Sequence, residues 1–110
     1  MVKLPENTLI AREKLKNYLL IFKKRNDKSQ WLSIAGYTNE NWRILKDDLT
    51  KLMLSTEALP IENTEYGQMY EIRGEISGPN GNSLDVCTIW MTEFATGITK
   101  FITMYPYKRR

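Results

Sequence analysis

Apolar residues recur at helical spacing through the first half of the chain and alternate with polar residues in the second half. The helical spacing predicts three helices, over about residues 10–24, 28–35 and 40–55. Asp27 is expected to cap the second helix, and Gly36 to end it in a left-handed conformation. The third helix is the clearest, because its apolar positions between Trp42 and Met53 repeat in steps of three and four.

Alternation with a period of two begins after Gly67 and predicts antiparallel strands joined by tight turns. The segment Gly78-Pro79-Asn80-Gly81-Asn82 is typical of a type I turn with a glycine bulge, and it sets the register of the first hairpin. Ala95-Thr96-Gly97 predicts a second three-residue loop, which would pair Phe94 with Ile98. Leu59-Pro60-Ile61 is either an edge strand or a loop, since proline cannot donate a ladder hydrogen bond.

These elements predict an α+β fold in which two to three N-terminal helices pack on one face of a C-terminal antiparallel β-meander of three to four strands. We expect one domain over residues 1–110, with a helical part at about 10–55, a sheet at about 58–106 and a basic tail at 107–110. The register predicts a core face that consists of Tyr70, Ile72, Ile76, Leu84, Val86, Trp90, Phe94, Ile98, Ile102 and Met104.

The opposite face of the predicted sheet carries the polar residues of interest. Arg73, Cys87 and Tyr105 fall in one row across three strands, and Glu71, Ile89 and Thr103 form the next row. A planar guanidinium suits phosphate, a carboxylate can accept a proton from a ribose hydroxyl, and hydroxyl groups can orient a scissile phosphate. Glu71, Arg73, Thr103 and Tyr105 are therefore the candidate catalytic residues for a reaction on RNA.

The alternative is an ordinary solvent-exposed sheet face without a function. Arg73 would then form an ion pair with Glu71 or Glu75 that contributes little to stability. The register also sets Met91 opposite Phe101, as an apolar platform on which a base would stack. Cys87 has no histidine partner and is expected to be an inert, packed thiol.

Composition narrows the chemistry further. The 110 residues include no histidine and one cysteine, which excludes a histidine base, an internal disulfide and a histidine- or cysteine-rich zinc site. We expect no metal and no cofactor, since no nucleotide-binding or calcium-binding motif occurs.

No apolar run approaches the ~20 residues of a membrane span, so a cytoplasmic protein without a membrane partner is expected. The net charge of +3 permits contact with nucleic acid, and part of it lies in the tail Lys108-Arg109-Arg110, expected to be solvated.

An ordered set of short motifs spans nearly the whole chain: Leu4-Pro5, Tyr18-Leu19-Leu20, Gly36-Tyr37, Tyr66-Gly67, Gly78-Pro79-Asn80-Gly81, Thr88-Ile89-Trp90 and Thr103-Met104-Tyr105-Pro106. This set resembles a family of small bacterial domains found alone or at the ends of large secreted toxins. That family is similar in layout to ribonuclease toxins of the barnase, EndoU and colicin type.

The resemblance implies candidate roles at matching positions. Lys28, Thr88, Thr103 and Tyr105 stand at motif positions, and Lys100 stands where the family commonly has an arginine. Lys28, Thr88 and Lys100 are therefore expected to bind substrate. The implied function is a metal-independent ribonuclease toxin that a cognate antitoxin or immunity protein neutralises. The alternative is a non-catalytic protein-binding or immunity-type module, which the lack of histidine favours.

Overall fold

A computed structural model describes residues 2–21 and 28–107. Its helices are α1 (Arg12–Lys14), which continues as a π-helix over Leu15–Leu19, α2 (Lys28–Ser33) and α3 (Trp42–Ser55). Its strands are β1 (Leu59–Asn63), β2 (Gly67–Ser77), β3 (Ser83–Glu93) and β4 (Thr99–Pro106), in one antiparallel sheet of order β1-β2-β3-β4. The predicted α+β fold is confirmed. No helix in these described ranges is long and apolar enough to cross a membrane.

The first helix differs from its prediction over residues 10–24. It begins at Arg12, and its winding widens so that the amide of Leu20 donates to the carbonyl of Leu15, 2.8 Å away. The wider turn buries Leu15 and Leu19 but leaves Tyr18 exposed. The rest of the predicted helix, the cap at residue 27 and the tail at 108–110 lie outside the described residues.

Helix α2 ends as its sequence indicates. Gly36 has a φ of +90°, and the amide of Tyr37 donates to the carbonyl of Leu32 at 3.2 Å, which completes a Schellman motif. Thr38 and Asn41 then exchange side-chain to backbone hydrogen bonds at 2.7 and 3.3 Å ahead of α3. These bonds close a turn ahead of the helix, and α3 begins at Trp42 rather than at residue 40.

Helix α3 packs on the sheet through its buried residues Leu45, Leu49, Leu52 and Met53. The contact with β2 is close at Gly74, where an added Cβ would lie 2.7 Å from a methyl carbon of Leu52. The β2–β3 turn in turn packs on the end of α2, and a Cβ at Gly78 would overlap the carbonyl oxygen of Ala35. Glycine at both positions therefore sets how closely the helical layer approaches the sheet.

The β2–β3 hairpin has the predicted register throughout. Gly78 donates to the carbonyl of Asn82 at 2.9 Å, and Gly81 takes the left-handed φ of +89° that the turn chemistry requires. Pairing continues without a break to the far end of the hairpin, so that Arg73 lies opposite Cys87 and Glu71 opposite Ile89.

The β3–β4 hairpin departs from the prediction by one residue near its turn. Its loop has four residues, because the amide of Glu93 rather than that of Phe94 pairs with Ile98, at 2.9 Å. The register is restored by a bulge at Ile102, beyond which Ile89 faces Thr103 and Cys87 faces Tyr105 as predicted. The two predicted rows of polar residues are therefore correct, although the length of the β3–β4 loop was predicted wrongly.

The shifted register changes which side chains are buried. Phe101 enters the core, edge-on to Trp90 with 5.2 Å between the ring centroids, whereas Phe94 and Ile98 are exposed and Ile102 is half-buried. The predicted core membership of these last three residues is wrong. The predicted platform of Met91 and Phe101 is wrong as well, because Met91 faces Lys100 and Phe101 is buried.

Strand β1 forms one edge of the sheet, and all five of its residues are exposed. Val2 exchanges two backbone hydrogen bonds with Ala58, at 3.1 and 2.6 Å, and thus covers the start of this edge. Pro60 lies within the strand and the register shifts between Pro60 and Glu62. A covered start, a proline and an irregular register are devices that keep an edge from pairing with another chain.

Candidate functional site

Arg73 projects from the exposed face of β2 and is held by two contacts. Its Nε lies 2.8 Å from Oε1 of Glu71, two residues away on the same face of the strand. Its Cζ lies 4.7 Å from the centroid of the Tyr107 ring, and its Nη1 lies 3.5 Å from the Tyr107 hydroxyl. The side chain of Arg73 stays half exposed while that of Glu71 is nearly covered. The guanidinium is therefore positioned and still accessible to an anion.

Tyr105 on β4 lies two strands away from Arg73 on β2, and it interacts with Cys87 on β3 between them. A hydrogen bond to Cys87, together with partial burial, raises the pKa of Tyr105 to about 12. Burial raises the pKa of the Cys87 thiol, which keeps the sulfur protonated near neutral pH. Tyr105 thus offers a neutral hydroxyl donor beside the guanidinium, and Cys87 serves as its support.

A second polar group forms where α2 begins. The ammonium of Lys28 donates to the hydroxyl of Thr103 at 2.9 Å and lies 5.4 Å from the centroid of the Tyr18 ring. Thr103 shares its row with Glu71, but β3 separates them, so the two groups lie about 10 Å apart at the usual strand spacing. The exposed sheet face therefore carries two cationic centres, Arg73 and Lys28.

An open depression of about 320 Å³ lies on the β1 side of Arg73. Its lining residues are Thr56, Glu57, Leu59, Glu71 and Arg73. Leu59 pairs with Glu71 as the first pair of the β1–β2 ladder, and Glu57 precedes this strand by two residues. Glu57 makes no ion pair or side-chain hydrogen bond with any other described residue, so its carboxylate faces solvent.

The sequence-predicted residues separate into three groups. Arg73, Glu71, Tyr105, Thr103 and Lys28 lie on or beside the exposed sheet face, as described. Thr88 does not join them: it is fully buried, donates to the carbonyl of Ile72 at 2.9 Å and accepts from Trp90 Nε1 at 2.7 Å. Lys100 lies near the β3–β4 turn, where its ammonium pairs with Glu93 Oε2 at 2.8 Å and lowers the pKa of that carboxyl.

The sequence did not predict that Tyr107 contacts Arg73 or that Tyr18 contacts Lys28 at the surface. Tyr107 continues the alternation of β4 two residues beyond Tyr105, and its amide donates to the carbonyl of Asp85 at 3.0 Å, which extends the β3 pairing. That alternation was a usable signal for Tyr107. Tyr18 had no such signal, because its exposure follows from the π-helical winding. Within residues 2–21 and 28–107, no three metal-binding side chains come together.

The chain matches, over residues 3–108, the family described as "Domain of unknown function (DUF6883)". It belongs to this family. No curated protein matches it.

Among solved structures, the fold is similar to that of a chain in the contact-dependent growth inhibition toxin–immunity protein complex from Klebsiella pneumoniae 342. The TM-score is 0.70 at 16% sequence identity, and the match covers 94% of this chain and 96% of that chain. At this identity the likeness shows a shared fold. The helical layer and the four-stranded sheet are thus common to both chains over almost their full lengths.

Proposed function

We propose that this chain is a toxin domain that acts on RNA and is neutralised by a cognate partner protein. The observation that carries the proposal is the accessible guanidinium of Arg73, held between the Glu71 carboxylate and the Tyr107 ring beside a neutral Tyr105 hydroxyl. Such a fork binds a phosphodiester through two parallel hydrogen bonds. The fold shared with a chain of a toxin–immunity complex supports the same proposal.

The reaction that these groups support is cleavage by the neighbouring ribose hydroxyl, which needs no metal. Glu71 accepts the proton of the 2′-hydroxyl, the O2′–P bond forms and the P–O5′ bond breaks. Water supplies the proton that O5′ takes, and the products are a 2′,3′-cyclic phosphate and a free 5′-hydroxyl. Arg73 and Tyr105 donate to the phosphate oxygens, where negative charge accumulates in the transition state.

Lys28 and Thr103 have a separate role in this proposal. Thr103 lies in the row of Glu71 rather than in the row of Arg73 and Tyr105, so we assign the Lys28 ammonium bonded to it to the phosphate of an adjacent nucleotide. Lys28 contributes charge and Thr103 fixes the ammonium through the 2.9 Å hydrogen bond. Thr88 and Lys100 contribute indirectly, through the core and through the β3–β4 turn.

Growth of a bacterium that expresses the chain from a tightly controlled promoter tests the proposal. Wild-type expression should arrest growth, and Arg73→Ala or Tyr105→Phe should relieve the arrest at equal protein level. Arg43→Ala is the matched control, because Arg43 also stacks on an aromatic ring, Trp42, with 4.9 Å from its Cζ to the ring centroid, but on the helical layer. Full toxicity of both site variants would contradict the site assignment.

An immunity-type module is the second candidate. The chain has no histidine, and Glu71 and Tyr107 already satisfy part of the Arg73 guanidinium without a ligand. An immunity protein would be harmless when expressed alone and would protect the bacterium against a toxin encoded beside it. Harmless expression of a folded wild-type chain, together with such protection, would replace the toxin proposal with this one.

A further inference from the structure

We infer that the depression beside Arg73 is a nucleobase subsite that selects bases carrying an exocyclic amino group: adenine, cytosine or guanine over uracil. The inference rests on the proposed function, because Arg73 is the group that would hold the phosphate of the same nucleotide. It assigns Glu57, Thr56 and Leu59, which that function leaves without a role, to recognition of the base.

The two sides of Arg73 differ, and this difference orients the nucleotide. Tyr107 occupies one side, with its ring 4.7 Å from the guanidinium carbon. The depression of about 320 Å³ lies next to β1. This volume is at the lower end of the range for small-molecule sites, so it suits one ring system rather than an extended ligand. A nucleotide whose phosphate contacts Arg73 therefore places its base toward β1.

The lining of the depression matches a base in polarity. Leu59 is 45% exposed and offers an apolar surface to the flat face of a ring. Glu57 and Thr56 lie at the rim, where they meet the edge of such a ring. Glu57 lines the same depression as Arg73, which brings its carboxylate within one nucleotide of the phosphate.

The charge of Glu57 sets the selectivity. An ionised carboxylate only accepts hydrogen bonds, so it favours a base edge that carries N–H donors. Adenine, cytosine and guanine each present an amino group with two N–H donors, whereas uracil presents a single N3–H donor flanked by two carbonyl oxygens, which repel a carboxylate. Glu57 makes no ion pair with Arg73 or any other described residue, and its acceptor capacity remains available.

Equilibrium binding of the four 3′-mononucleotides and of inorganic phosphate to the full chain tests the inference. NMR titration should show that wild type binds 3′-AMP, 3′-CMP or 3′-GMP roughly tenfold more tightly than 3′-UMP, the discrimination of one good hydrogen-bonded edge. Glu57→Gln should abolish the difference, because an amide donates as well as accepts. Inorganic phosphate should bind this variant at least as well as wild type, since a nearby negative charge is removed.

Glu62→Gln is the matched control, because Glu62 is an exposed carboxylate on β1 outside the depression, and it should keep the wild-type preference. Equal binding of all four nucleotides, with phosphate binding that still depends on Arg73, would overturn the subsite and leave the proposed function standing. The same preference in Glu57→Gln as in wild type would overturn the assignment of Glu57. Base selectivity without any cleavage of RNA would support the subsite while contradicting the ribonuclease.

Discussion

The guanidinium of Arg73 lies over the ring of Tyr107, with 4.7 Å between Cζ and the ring centroid. The two residues are 34 positions apart in sequence: Arg73 lies within β2, and Tyr107 follows the end of β4. Their contact brings the C-terminal end of β4 to the centre of the candidate site. Tyr107 is therefore a positioning residue: it holds the plane of Arg73 while Glu71 fixes its Nε.

Replacement of Tyr107 by leucine should loosen Arg73 without unfolding the chain. The Arg73 side chain is half exposed, so the free energy of unfolding should change little. The Nε–Hε resonance of Arg73 should lose its ring-current shift in an NMR spectrum. Tyr66→Leu, a change at an exposed tyrosine remote from the site, should leave that resonance in place. An unchanged Arg73 resonance in Tyr107→Leu would contradict the stacking.

Ionisation of Tyr105 should lower the stability of the folded chain at alkaline pH. Its folded pKa of about 12 lies above its ordinary value of 10.0, so the phenol stabilises the folded state fully below pH 10. This contribution is lost as pH rises from 10 to 12. Tyr105→Phe should therefore lose less stability than wild type across that window, as measured by urea denaturation at each pH.

The cause of the raised Tyr105 pKa can be tested separately. The hydrogen bond to Cys87 is its largest cause, so Cys87→Ala should move the Tyr105 pKa back toward 10. Titration of the Tyr105 ring carbons by NMR measures this value directly. A Tyr105 pKa that stays near 12 in Cys87→Ala would assign the shift to burial instead.

Thr88 has a structural role that substitution should expose. Its hydroxyl bridges the carbonyl of Ile72 and the indole N–H of Trp90, both inside the core. Thr88→Val keeps the shape but leaves the indole N–H of Trp90 without its acceptor and removes the side-chain bond to the Ile72 carbonyl, which should lower the free energy of unfolding by about 1–3 kcal/mol. Chemical denaturation followed by tryptophan fluorescence measures this loss. Phosphate binding by the folded variant should stay at the wild-type level, and a specific loss of binding would restore Thr88 as a substrate contact.

The fold could be predicted where local chemistry determines it. The turn Gly78–Asn82 specifies both a loop length and a left-handed glycine, so the β2–β3 register followed from the sequence. The second turn also ends in a left-handed glycine, Gly97, but its loop has four residues, and a bulge at Ile102 absorbs the difference. A bulge depends on packing across the sheet, which here favours burial of Phe101 against Trp90, and such packing cannot be derived from spacing alone.

The sequence predicted which residues of the candidate site lie side by side across the strands, but it did not predict which side chains contact each other. The β2–β3 register and the part of the β3–β4 register beyond the bulge brought Arg73 and Tyr105 to opposite sides of Cys87, as predicted. Thr88 was expected to bind substrate because it stands at a motif position, yet its row faces the helices. Tyr107 was missed because it lies beyond the strand, and its contact with Arg73 depends on how β4 ends.

Incubation of purified chain with single-stranded RNA in the presence of a metal chelator tests the central claim most directly. Wild type should produce fragments that end in 2′,3′-cyclic phosphates, whereas Arg73→Ala should cleave at least about 100-fold more slowly, the usual cost of a lost transition-state donor. Arg73→Lys should also be impaired, because a point charge cannot form two parallel hydrogen bonds. Arg43→Ala should match wild type. Intact RNA with a folded wild-type chain, or equal cleavage by Arg73→Ala, would contradict the account.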